Sequence, residues 1–551
     1  MRERVRFERG LGATLAGAIP RDRLRLAYAA VFAAALLLRL VAIGDKPMHH
    51  DESIHAWFTW QLVTGEGYEY DPVYHGPLQF YLYTLSSLVF GVGDTAMRAV
   101  PTLLGAAMTL LPWFLRHQLG QVAALSAAVL LAFSPSFLYF SRFAREDAIV
   151  VSMTLGLIVL TFRFLEKPRR WQPAAIFGLL AASFATKEST YITAFVAGTF
   201  FAVAVPVQAA TARRRGRPVS SAPVVEAILA PGRDAWIWAL TSFALVFTLL
   251  FSSFLLNPQG LRDGLYDSWS YWLLQHPVNR GDQPWFYYLA ALPAYELPVV
   301  VLAVVGIVAS FRRPTLLRLF LVWDAALSLA AYSWAGERMP WLVLHPLLPL
   351  VLLAGLGVST IWPGRRRVAR RLVLAAAPLA ALVLVQGAAS LVYRHPADPA
   401  ELLVFTQTSV DVPPVRDRIV ELYQTAKAAG GGPPRIAVDA WGGTGWPWAW
   451  YLRDLPVAYI DMSGPVSPDD WDVILVAEPN AARVGPLLRD FSGERFRLRE
   501  WWVVDWGAAE PTSVWRWFRQ RDAWSPKGTM DEYLYVRAGL SGAAEAVAGT
   551  R

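Results

Sequence analysis

The chain has 551 residues, of which 55% are hydrophobic and 17% are charged, and its formal net charge is +8. This composition excludes an intrinsically disordered protein and argues against a simple soluble enzyme. The absence of cysteine excludes disulfides, thiolate nucleophiles and thiolate metal ligands. The arginines cluster in short runs between apolar segments, where an orientation signal explains the positive charge better than a nucleic-acid partner does.

Apolar stretches long enough to cross a bilayer recur between residues 24 and 393. Residues 1–23 are basic and lead into the first stretch without a cleavage site, so we interpret them as a retained cytoplasmic N-terminus. We predict about eleven transmembrane helices, all but two of them within the roughly 17 to 25 residues typical of a crossing. They lie at 24–43, 98–115, 121–140, 148–165, 172–186, 189–207, 236–256, 297–311, 315–334, 341–362 and 372–393.

A further apolar segment, LQFYLYTLSSLVFG at 78–91, has the length of a re-entrant or interfacial helix. If it does not cross the membrane, the basic runs RHQ, EKPRR, ARRRGR, RRP and GRRRVARR all face the cytoplasm, as the positive-inside rule requires. We therefore expect a multi-pass protein of the cell membrane with a transmembrane domain at 24–393. Its large first outer loop spans 45–97, and the region after 393 is extracytoplasmic.

In this topology the clusters of mixed charge share the outer side of the membrane: HHDE, SRFARED, TKEST and GERMPW. Charges at membrane depth are costly and by default mark a substrate or ion site lined by protein. TKEST and GERMPW occupy short connections, where their charges are hard to solvate unless they face a cavity. We predict such an outward-facing cavity; the alternative is that these loops are polar simply because they are loops.

Asp51 and Glu52 are the candidate catalytic carboxylates, since such oxygens suit general-base work or a divalent cation. Adjacent side chains point in different directions, so at most one of the two faces a reacting hydroxyl. With Asp51, the nearby His49, His50 and His55 are candidate metal ligands, although their spacing matches no standard zinc motif. No cofactor is required by the sequence, and a divalent cation remains an open alternative.

Cationic side chains form the second half of the predicted site, and a phosphate is the ligand that they suit. The candidates are Arg142, Arg145, Lys187 and Arg338, with Arg280 also placed near the outer surface. Internal ion pairing is the alternative, but adjacent residues rarely pair well, so partners from other loops or a ligand are expected. The supporting residues are Glu146, Asp147, Glu188, Glu337, His50, His75 and His345.

A carboxylate, phosphate-binding cations and an outer cavity at the lipid boundary fit one reaction class. A lipid-phosphate-linked sugar enters from the bilayer, and the cations stabilise the leaving phosphate. The carboxylate deprotonates an acceptor hydroxyl for in-line attack at the anomeric carbon, which inverts that centre.

Several segments together resemble a known superfamily: HHDES, HGPLQFYLYTLSSLVFGVGDTAMR, LLAFSPSFLYFSRFAREDA, SFATKEST and GERMPWLVLHPLLP. They are similar to the GT-C membrane glycosyltransferases, which include the protein O-mannosyltransferases and the aminoarabinose transferase of lipid A. The nearest likeness is to the branch of flippase-activity-associated glycosylation proteins. The resemblance covers roughly residues 20 to 395 and implies a GT-C fold with a juxtamembrane helix after HGP.

The resemblance also implies roles for individual residues. The catalytic acid of the first outer loop corresponds to Asp51, with Glu52 beside it, and the charged position near the donor phosphate corresponds to Arg145, Glu146 and Asp147. The chain lacks a DxD in the second outer loop and a WWDxG-type signature. The metal-dependent oligosaccharyltransferase mechanism is therefore not indicated by motif.

These observations predict a polyprenyl-phosphate-sugar-dependent, hexosyltransferase-like glycosyltransferase. Its partners would be the lipid-linked sugar donor, a glycan, lipid or protein acceptor, and membrane lipid, with no nucleic acid. The alternatives are a flippase or flippase-accessory protein that handles lipid-linked sugars without catalysis, and a glycan-binding scaffold. We expect charges at one end of the spans and no mid-span polar residues or inverted repeats, which favours an enzyme over a transporter.

After residue 393 helices alternate with apolar strands, which predicts an α/β domain with a partly parallel sheet at 394–540. Helices are expected near 414–428, 446 and 481, and strands near 435, 457 and 472. GGTG at 442 is interpreted as a tight strand-to-helix turn, with a phosphate-binding turn as the alternative. Residues 541–551 are expected to be disordered.

Overall fold

The computed structural model describes residues 19–278, 280–361, 367–430 and 432–540. The expected disordered tail at 541–551 and most of the expected cytoplasmic N-terminus at 1–23 lie outside the described residues. The chain forms two compact units. The first comprises Met1–Ile43 and Glu66–Arg394, and the second comprises Gly44–Gly65 and His395–Arg551.

The first unit is built of helices. Its longer helices are Arg21–Leu40, Glu146–Glu166, Ser189–Arg214, Arg233–Phe251, Tyr287–Arg312, Leu316–Trp334, Leu344–Ile361 and Arg367–Ala389. The others are Leu78–Phe90, Asp94–Ala107, Pro112–Leu119, Gln121–Phe133, Pro135–Phe140, Gln172–Phe184, Pro223–Leu229, Gln259–Arg262 and Ser268–Gln275.

Within the described part of the chain, eight helices are long and apolar enough to cross a membrane. They are Asp94–Leu119, Glu146–Glu166, Ser189–Arg214, Arg233–Phe251, Tyr287–Arg312, Leu316–Trp334, Pro340–Ile361 and Ala376–Arg394. Three further predicted spans, at 24–43, 121–140 and 172–186, are also helical but lie outside this set. The multi-pass helical architecture is confirmed, whereas the count of about eleven spans stays a prediction.

Two of these helices carry buried carboxyl groups within their length. Glu296 sits at a break in regular helical geometry and accepts hydrogen bonds from Ser134 Oγ at 2.6 Å and Ser136 N at 2.9 Å. Asp324 is buried in the helix Leu316–Trp334. The expectation of spans without mid-span polar residues is therefore wrong, and it no longer separates an enzyme from a transporter.

Glycines let the helices Tyr287–Arg312 and Leu344–Ile361 approach backbone to backbone. A Cβ added at Gly306 would lie 1.9 Å from Leu353 O, and one added at Gly357 would lie 2.1 Å from a carbonyl oxygen of the first helix. In a bilayer, the removal of apolar surface from water does little to drive helix association. Small residues at such crossings allow the close packing that holds the helices together instead.

The second unit contains a six-stranded sheet. Its strands are β1 Gln407–Thr408, β2 Ile436–Asp439, β3 Val457–Ile460, β4 Val473–Ala477, β5 Phe491–Trp502 and β6 Lys527–Arg537. Their order in the sheet is β1-β5-β6-β4-β2-β3. β2 pairs in parallel with β3 and β4, and all other pairs are antiparallel. Its helices are His50–Thr64, Val412–Ala428, Trp448–Tyr451, Glu478–Val484 and Pro511–Gln520. The predicted α/β class with a partly parallel sheet is confirmed.

The carboxyl end of β2 is fixed by a buried side chain, Asp439. Its carboxylate accepts hydrogen bonds from Trp441 N at 3.1 Å, Met462 N at 3.1 Å, Ala477 N at 3.2 Å and Asn480 Nδ2 at 2.7 Å. One carboxylate thereby satisfies backbone groups at or just after the ends of all three parallel strands. The GGTG segment forms a tight turn just after it, as expected, with Gly442 at positive φ.

The close helix crossing generates a stability prediction. Gly306→Ala should destabilise the first unit by about 1–3 kcal/mol, because its methyl group overlaps the backbone of the neighbouring helix. The matched control is Gly198→Ala on the helix Ser189–Arg214, where an added Cβ meets no atom within 4 Å. This control should be neutral or stabilising by up to about 1 kcal/mol. Thermal unfolding of the purified protein in detergent measures both, and equal unfolding temperatures would contradict the packing.

Candidate functional site

A buried ionic cluster lies in the first unit where the helix Glu146–Glu166 begins. Lys187 Nζ donates to Glu146 Oε1 at 2.7 Å and to the two oxygens of Asp147 at 2.8 and 2.9 Å. Arg145 Nη2 donates to Glu146 Oε1 at 2.9 Å, and its Nε lies 3.6 Å from Asp147 Oδ2. All four side chains are buried. Two cations and two carboxylates thus balance one another away from solvent.

Local sequence explains why the charges collect at this point. Glu146 and Asp147 occupy the first helical turn, where the helix dipole favours negative charge. Lys187 comes from the short turn between the helices Gln172–Phe184 and Ser189–Arg214. Burial alone would lower the pKa of Lys187, but the charges of Asp147 and Glu146 outweigh burial and raise it. The ammonium group therefore stays protonated.

The cluster extends to His75 of the HGP segment. Its Nδ1 lies 2.7 Å from Glu188 Oε2, and its Nε2 lies 3.3 Å from Glu146 Oε1. The ring stacks on Trp272 with centroids 4.8 Å apart. Burial alone would lower the pKa of His75, but the charges of Glu146 and Glu188 outweigh burial and raise it above the ordinary value of 6.5.

The HGP segment is joined directly to the TKEST segment. Gly76 N donates to Thr186 O at 3.2 Å, and Leu78 N donates to Ala185 O at 2.8 Å. A Cβ at position 76 would lie 2.2 Å from Ala185 O, so only glycine fits this contact. Two motifs separated by more than a hundred residues are therefore held in register by main-chain bonds.

The GERMPW segment and the helix after it complete the cluster. The Arg145 guanidinium lies 4.0 Å from the Trp341 ring, an arrangement that favours a cation–π interaction. His345 stacks on Tyr332 with centroids 4.8 Å apart, and its Nε2 lies 3.9 Å from Asp147 Oδ1. Three of the segments singled out for their charges, SRFARED, TKEST and GERMPW, thus meet in one place together with the HGP segment.

A cavity of about 630 Å³ opens beside the cluster. Charged and titratable side chains on its wall are His75, Lys187, Glu188, His276, Arg280 and Glu337. Aromatic side chains on its wall are Tyr191, Trp269, Trp272, Tyr332 and Trp334. The volume is in the range of small-molecule sites, and the combination of aromatic walls with a few charged groups is typical of them.

Arg280 is a cavity residue that lies on an irregular loop segment. Its Nη2 donates to Gln275 Oε1 at 3.0 Å and to the Tyr271 hydroxyl at 3.2 Å, and its guanidinium lies 5.5 Å from the Trp272 ring. Neutral partners orient the group and leave its charge uncompensated by these bonds. Of the cations considered from the sequence, Lys187 and Arg280 are those that line the cavity.

Arg142 and Arg338 have different surroundings. Arg142 donates to four main-chain carbonyl oxygens at the end of the helix Arg21–Leu40, those of Leu38, Arg39, Val41 and Ala42. Arg338 donates to Ser333 O at 3.1 Å and Gln283 O at 2.8 Å. Neither is among the described residues that line the cavity. A guanidinium suits such carbonyl groups at helix ends, and here each one ties neighbouring segments together, so their assignment as phosphate ligands stays a prediction.

The ion pairing of the cluster corrects another expectation. Adjacent residues were expected to pair poorly, yet Arg145 pairs with Glu146, because Arg145 has an extended backbone and its side chain folds back onto the helix start. The expectation that partners come from other segments holds for Lys187. Internal ion pairing, which was the alternative to a phosphate ligand for these cations, is therefore present for Arg145 and Lys187.

In the second unit, the candidate catalytic carboxylates occupy the first turn of the helix His50–Thr64 and differ sharply. Glu52 is buried and accepts a hydrogen bond from His49 N at 2.9 Å, while His49 Nδ1 accepts from Asp51 N at 3.0 Å. These two bonds form a reciprocal cap of the helix. The Asp51 side chain is 19% exposed. Glu52 therefore stabilises the helix start, and Asp51 is the better candidate for chemistry.

The candidate metal ligands are only partly grouped. Among the described residues, His49, His50 and Asp51 bring ligand atoms within 4.8 Å of one another, while His55 lies outside this group. Burial, followed by the neighbouring His50, lowers the pKa of His49 well below its ordinary value, so its ring is neutral. With Nδ1 accepting from Asp51 N, the Nε2–H donates to Phe405 O at 2.9 Å. Both ring nitrogens of His49 are thus engaged, and the geometry does not fit a three-ligand cation site.

Comparisons with known proteins define the class. Residues 74–232 match the family of dolichyl-phosphate-mannose-protein mannosyltransferases. ArnT from Cupriavidus metallidurans bound to undecaprenyl phosphate is similar over 93% of this chain and 98% of its own, with 14% identity and a TM-score of 0.57. The oligosaccharyltransferase of Archaeoglobus fulgidus in complex with Zn and sulfate is similar over 81% of this chain and 67% of its own, with 12% identity and a TM-score of 0.50.

These similarities establish the fold: the protein is a multi-pass membrane protein with the GT-C glycosyltransferase fold, as its likeness to the GT-C membrane glycosyltransferases implied. The region that matches the mannosyltransferase family contains the HGP, ARED and TKEST segments, which supply most of the ionic cluster. No curated protein matches the sequence significantly.

The cluster predicts a large effect of removing its central cation. Lys187→Met should destabilise the protein by about 3–5 kcal/mol, because Glu146 and Asp147 would remain buried with too little compensating charge. Adding Asp147→Asn to this variant should recover part of the loss. Lys167→Met is the control, since Lys167 is exposed. Thermal unfolding in detergent measures each variant, and a Lys187→Met protein as stable as the control would refute the role of the pair.

Proposed function

We propose that the protein transfers a sugar from a polyprenyl-phosphate carrier to an acceptor at the outer face of the membrane. The observation that carries this proposal is the cavity of about 630 Å³, with cations and aromatic side chains on its wall, in a chain of GT-C fold. The similar ArnT structure contains undecaprenyl phosphate, which supports a lipid-linked donor. The acceptor is a glycan, lipid or protein.

In the proposed site, Lys187 and Arg280 stabilise the negative charge of the donor phosphate. Arg145 acts indirectly, because it shares both carboxylates with Lys187 and helps to hold its ammonium group in place. Positioned cations of this kind stabilise the charge that develops on a leaving phosphate. The aromatic wall, which includes Trp269 and Trp272, offers surfaces for a sugar ring or the first isoprene units.

We assign the role of general base to Asp51, as the resemblance to the GT-C superfamily implies. The acceptor oxygen forms a bond with the anomeric carbon while the bond from that carbon to the phosphate oxygen breaks. The phosphate leaves with the electron pair, and the acceptor proton goes to the Asp51 carboxylate. This sequence inverts the anomeric centre. Glu52 has no part in the step, since it caps its helix.

The topology proposed from the charge pattern places the N-terminus in the cytoplasm and the second unit outside. In this topology the donor lies in the membrane, and the acceptor and Asp51 both lie on its outer side. We include no metal in the reaction, because His49 is engaged through both ring nitrogens.

The second candidate function is a flippase or flippase accessory that binds the same lipid-linked sugar without forming a bond. One observation favours it: Glu296 and Asp324 are buried carboxyl groups within spans, and intramembrane acids often mark a translocation or proton pathway. The cavity would serve either function. Catalysis by Asp51 distinguishes the two.

The assignment of Asp51 is tested by Asp51→Asn. This change should lower sugar transfer by about 10²- to 10⁴-fold, the usual contribution of a general base, while donor binding is retained. Asp45→Asn is the matched control, because Asp45 is an exposed carboxylate of the same loop. The assay follows transfer from a panel of polyprenyl-phosphate sugars by purified protein. If the wild type binds the donor but transfers its sugar to no acceptor, the transport function is supported and the transferase function is refuted.

The raised pKa of His75 predicts a pH dependence of donor binding. Below this pKa the imidazolium compensates Glu146 and Glu188. As pH rises through it, above the ordinary value of 6.5, the cavity loses a positive charge and affinity for the anionic phosphate should fall. Titrating the protein with polyprenyl phosphate at a series of pH values measures the effect. His75→Gln should abolish the change in this window, and an unaltered pH profile in that variant would show that another group titrates.

A further inference from the structure

A short helix of the second unit, Pro511–Gln520, presents large apolar side chains to its surroundings. Trp515 is 60% exposed and Val514 is 39% exposed. Phe518 stacks on Trp515 with ring centroids 6.0 Å apart. At 100° per residue, these three side chains form one continuous stripe along the helix.

Basic side chains flank this stripe. Arg516 and Arg519 are both exposed, and at the same helical period they occupy the sector next to Trp515. Arg516 lies 3.7 Å from Asp522, in a pair whose two side chains are 60% and 57% exposed. An ion pair this exposed to water contributes little to stability, so the guanidinium can exchange Asp522 for a stronger anionic partner.

A neighbouring face of the helix and its C-terminal end are fixed to residues 400 and 401. Trp517 Nε1 donates to Ala400 O at 2.6 Å, and Arg521 Nε donates to the buried Glu401 at 2.7 Å. Ala400 follows Arg394, the end of the last candidate span, by six residues. Six extended residues reach about 20 Å at most, so Ala400, to which the helix is bonded, lies within that distance of the end of the span.

We propose that the helix Pro511–Gln520 docks on the lipid bilayer. Trp515, Val514 and Phe518 enter the headgroup region, and Arg516 and Arg519 contact anionic lipid phosphates. Aromatic and aliphatic side chains flanked by arginine are the composition of interfacial helices. Docking would hold the second unit against the surface from which a lipid-linked substrate is presented. This inference does not depend on the proposed transfer reaction.

Charge favours the bilayer over a second copy of the chain. A symmetric contact between two copies of this helix would bring the arginines of one copy toward those of the other. A ten-residue helix face also falls short of the roughly 800 Å² per partner that a stable protein interface buries. A membrane carrying anionic lipid satisfies both the apolar stripe and the arginines, and each arginine near such a surface contributes about fivefold to binding.

The chain has no cysteine, so a single spin label reports on one position without background. We would label Val514→Cys in the full-length protein and, as the control, Gln424→Cys, which replaces an exposed residue of the helix Val412–Ala428. Both proteins are reconstituted in bilayers of phosphatidylcholine, with and without phosphatidylglycerol. Collision with oxygen, which concentrates in lipid, is compared with collision with a water-soluble nickel complex.

The proposal predicts that the label at 514 collides more with oxygen and less with nickel than the label at 424, and that phosphatidylglycerol strengthens the difference. Arg516→Gln with Arg519→Gln should reduce the docked population by roughly 25-fold, since each arginine contributes about fivefold. Equal nickel accessibility at the two positions would overturn the proposal. Protection at 514 that is the same in detergent and in bilayers would also overturn it and indicate a protein partner.

Discussion

The burial of Lys187 between Glu146 and Asp147 is the constraint on which the site depends. None of these charges is stable in the interior alone, so the turn that carries Lys187 and the helix start that carries the acids must meet at hydrogen-bond distance. His75 and Arg145 both lie within ion-pair distance of the Glu146 carboxylate. These contacts fix the wall of the cavity and the position of the Lys187 ammonium group. A cation held in place in this way can stabilise the charge of a phosphate without rearranging.

Much of this arrangement is visible in the sequence, because helical length, hydropathy and short charged connections are local signals. They predicted the helical segments, the three parallel strands and the motifs that meet around Lys187. The long strands β5 and β6 and the helix Pro511–Gln520 were missed, although residues such as Phe496 and Leu498 alternate with charged neighbours as a half-buried strand requires. The partners of Arg142 could not be foreseen, since carbonyl groups carry no sequence signature.

Two neighbouring carboxylates illustrate the same limit. In the sequence, Asp51 and Glu52 are adjacent carboxylates with the same candidate role. In the structure, Glu52 is a buried helix cap and Asp51 is partly exposed. The difference arises from a helix that begins at residue 50, which places position 52 back toward the His49 amide. Glu296 and Asp324 show the same limit in another way. The sequence displays both acids, but only the structure shows that their side chains are buried among the helices.

The central claim is that the cavity beside Lys187 receives the phosphate of a polyprenyl carrier. A structure of the protein in lipid nanodiscs with bound polyprenyl phosphate tests it most directly. We predict density for the phosphate within hydrogen-bond distance of Lys187 or Arg280, with the prenyl chain leaving the cavity toward the bilayer. A phosphate bound elsewhere, with this cavity free of ligand, would contradict the account.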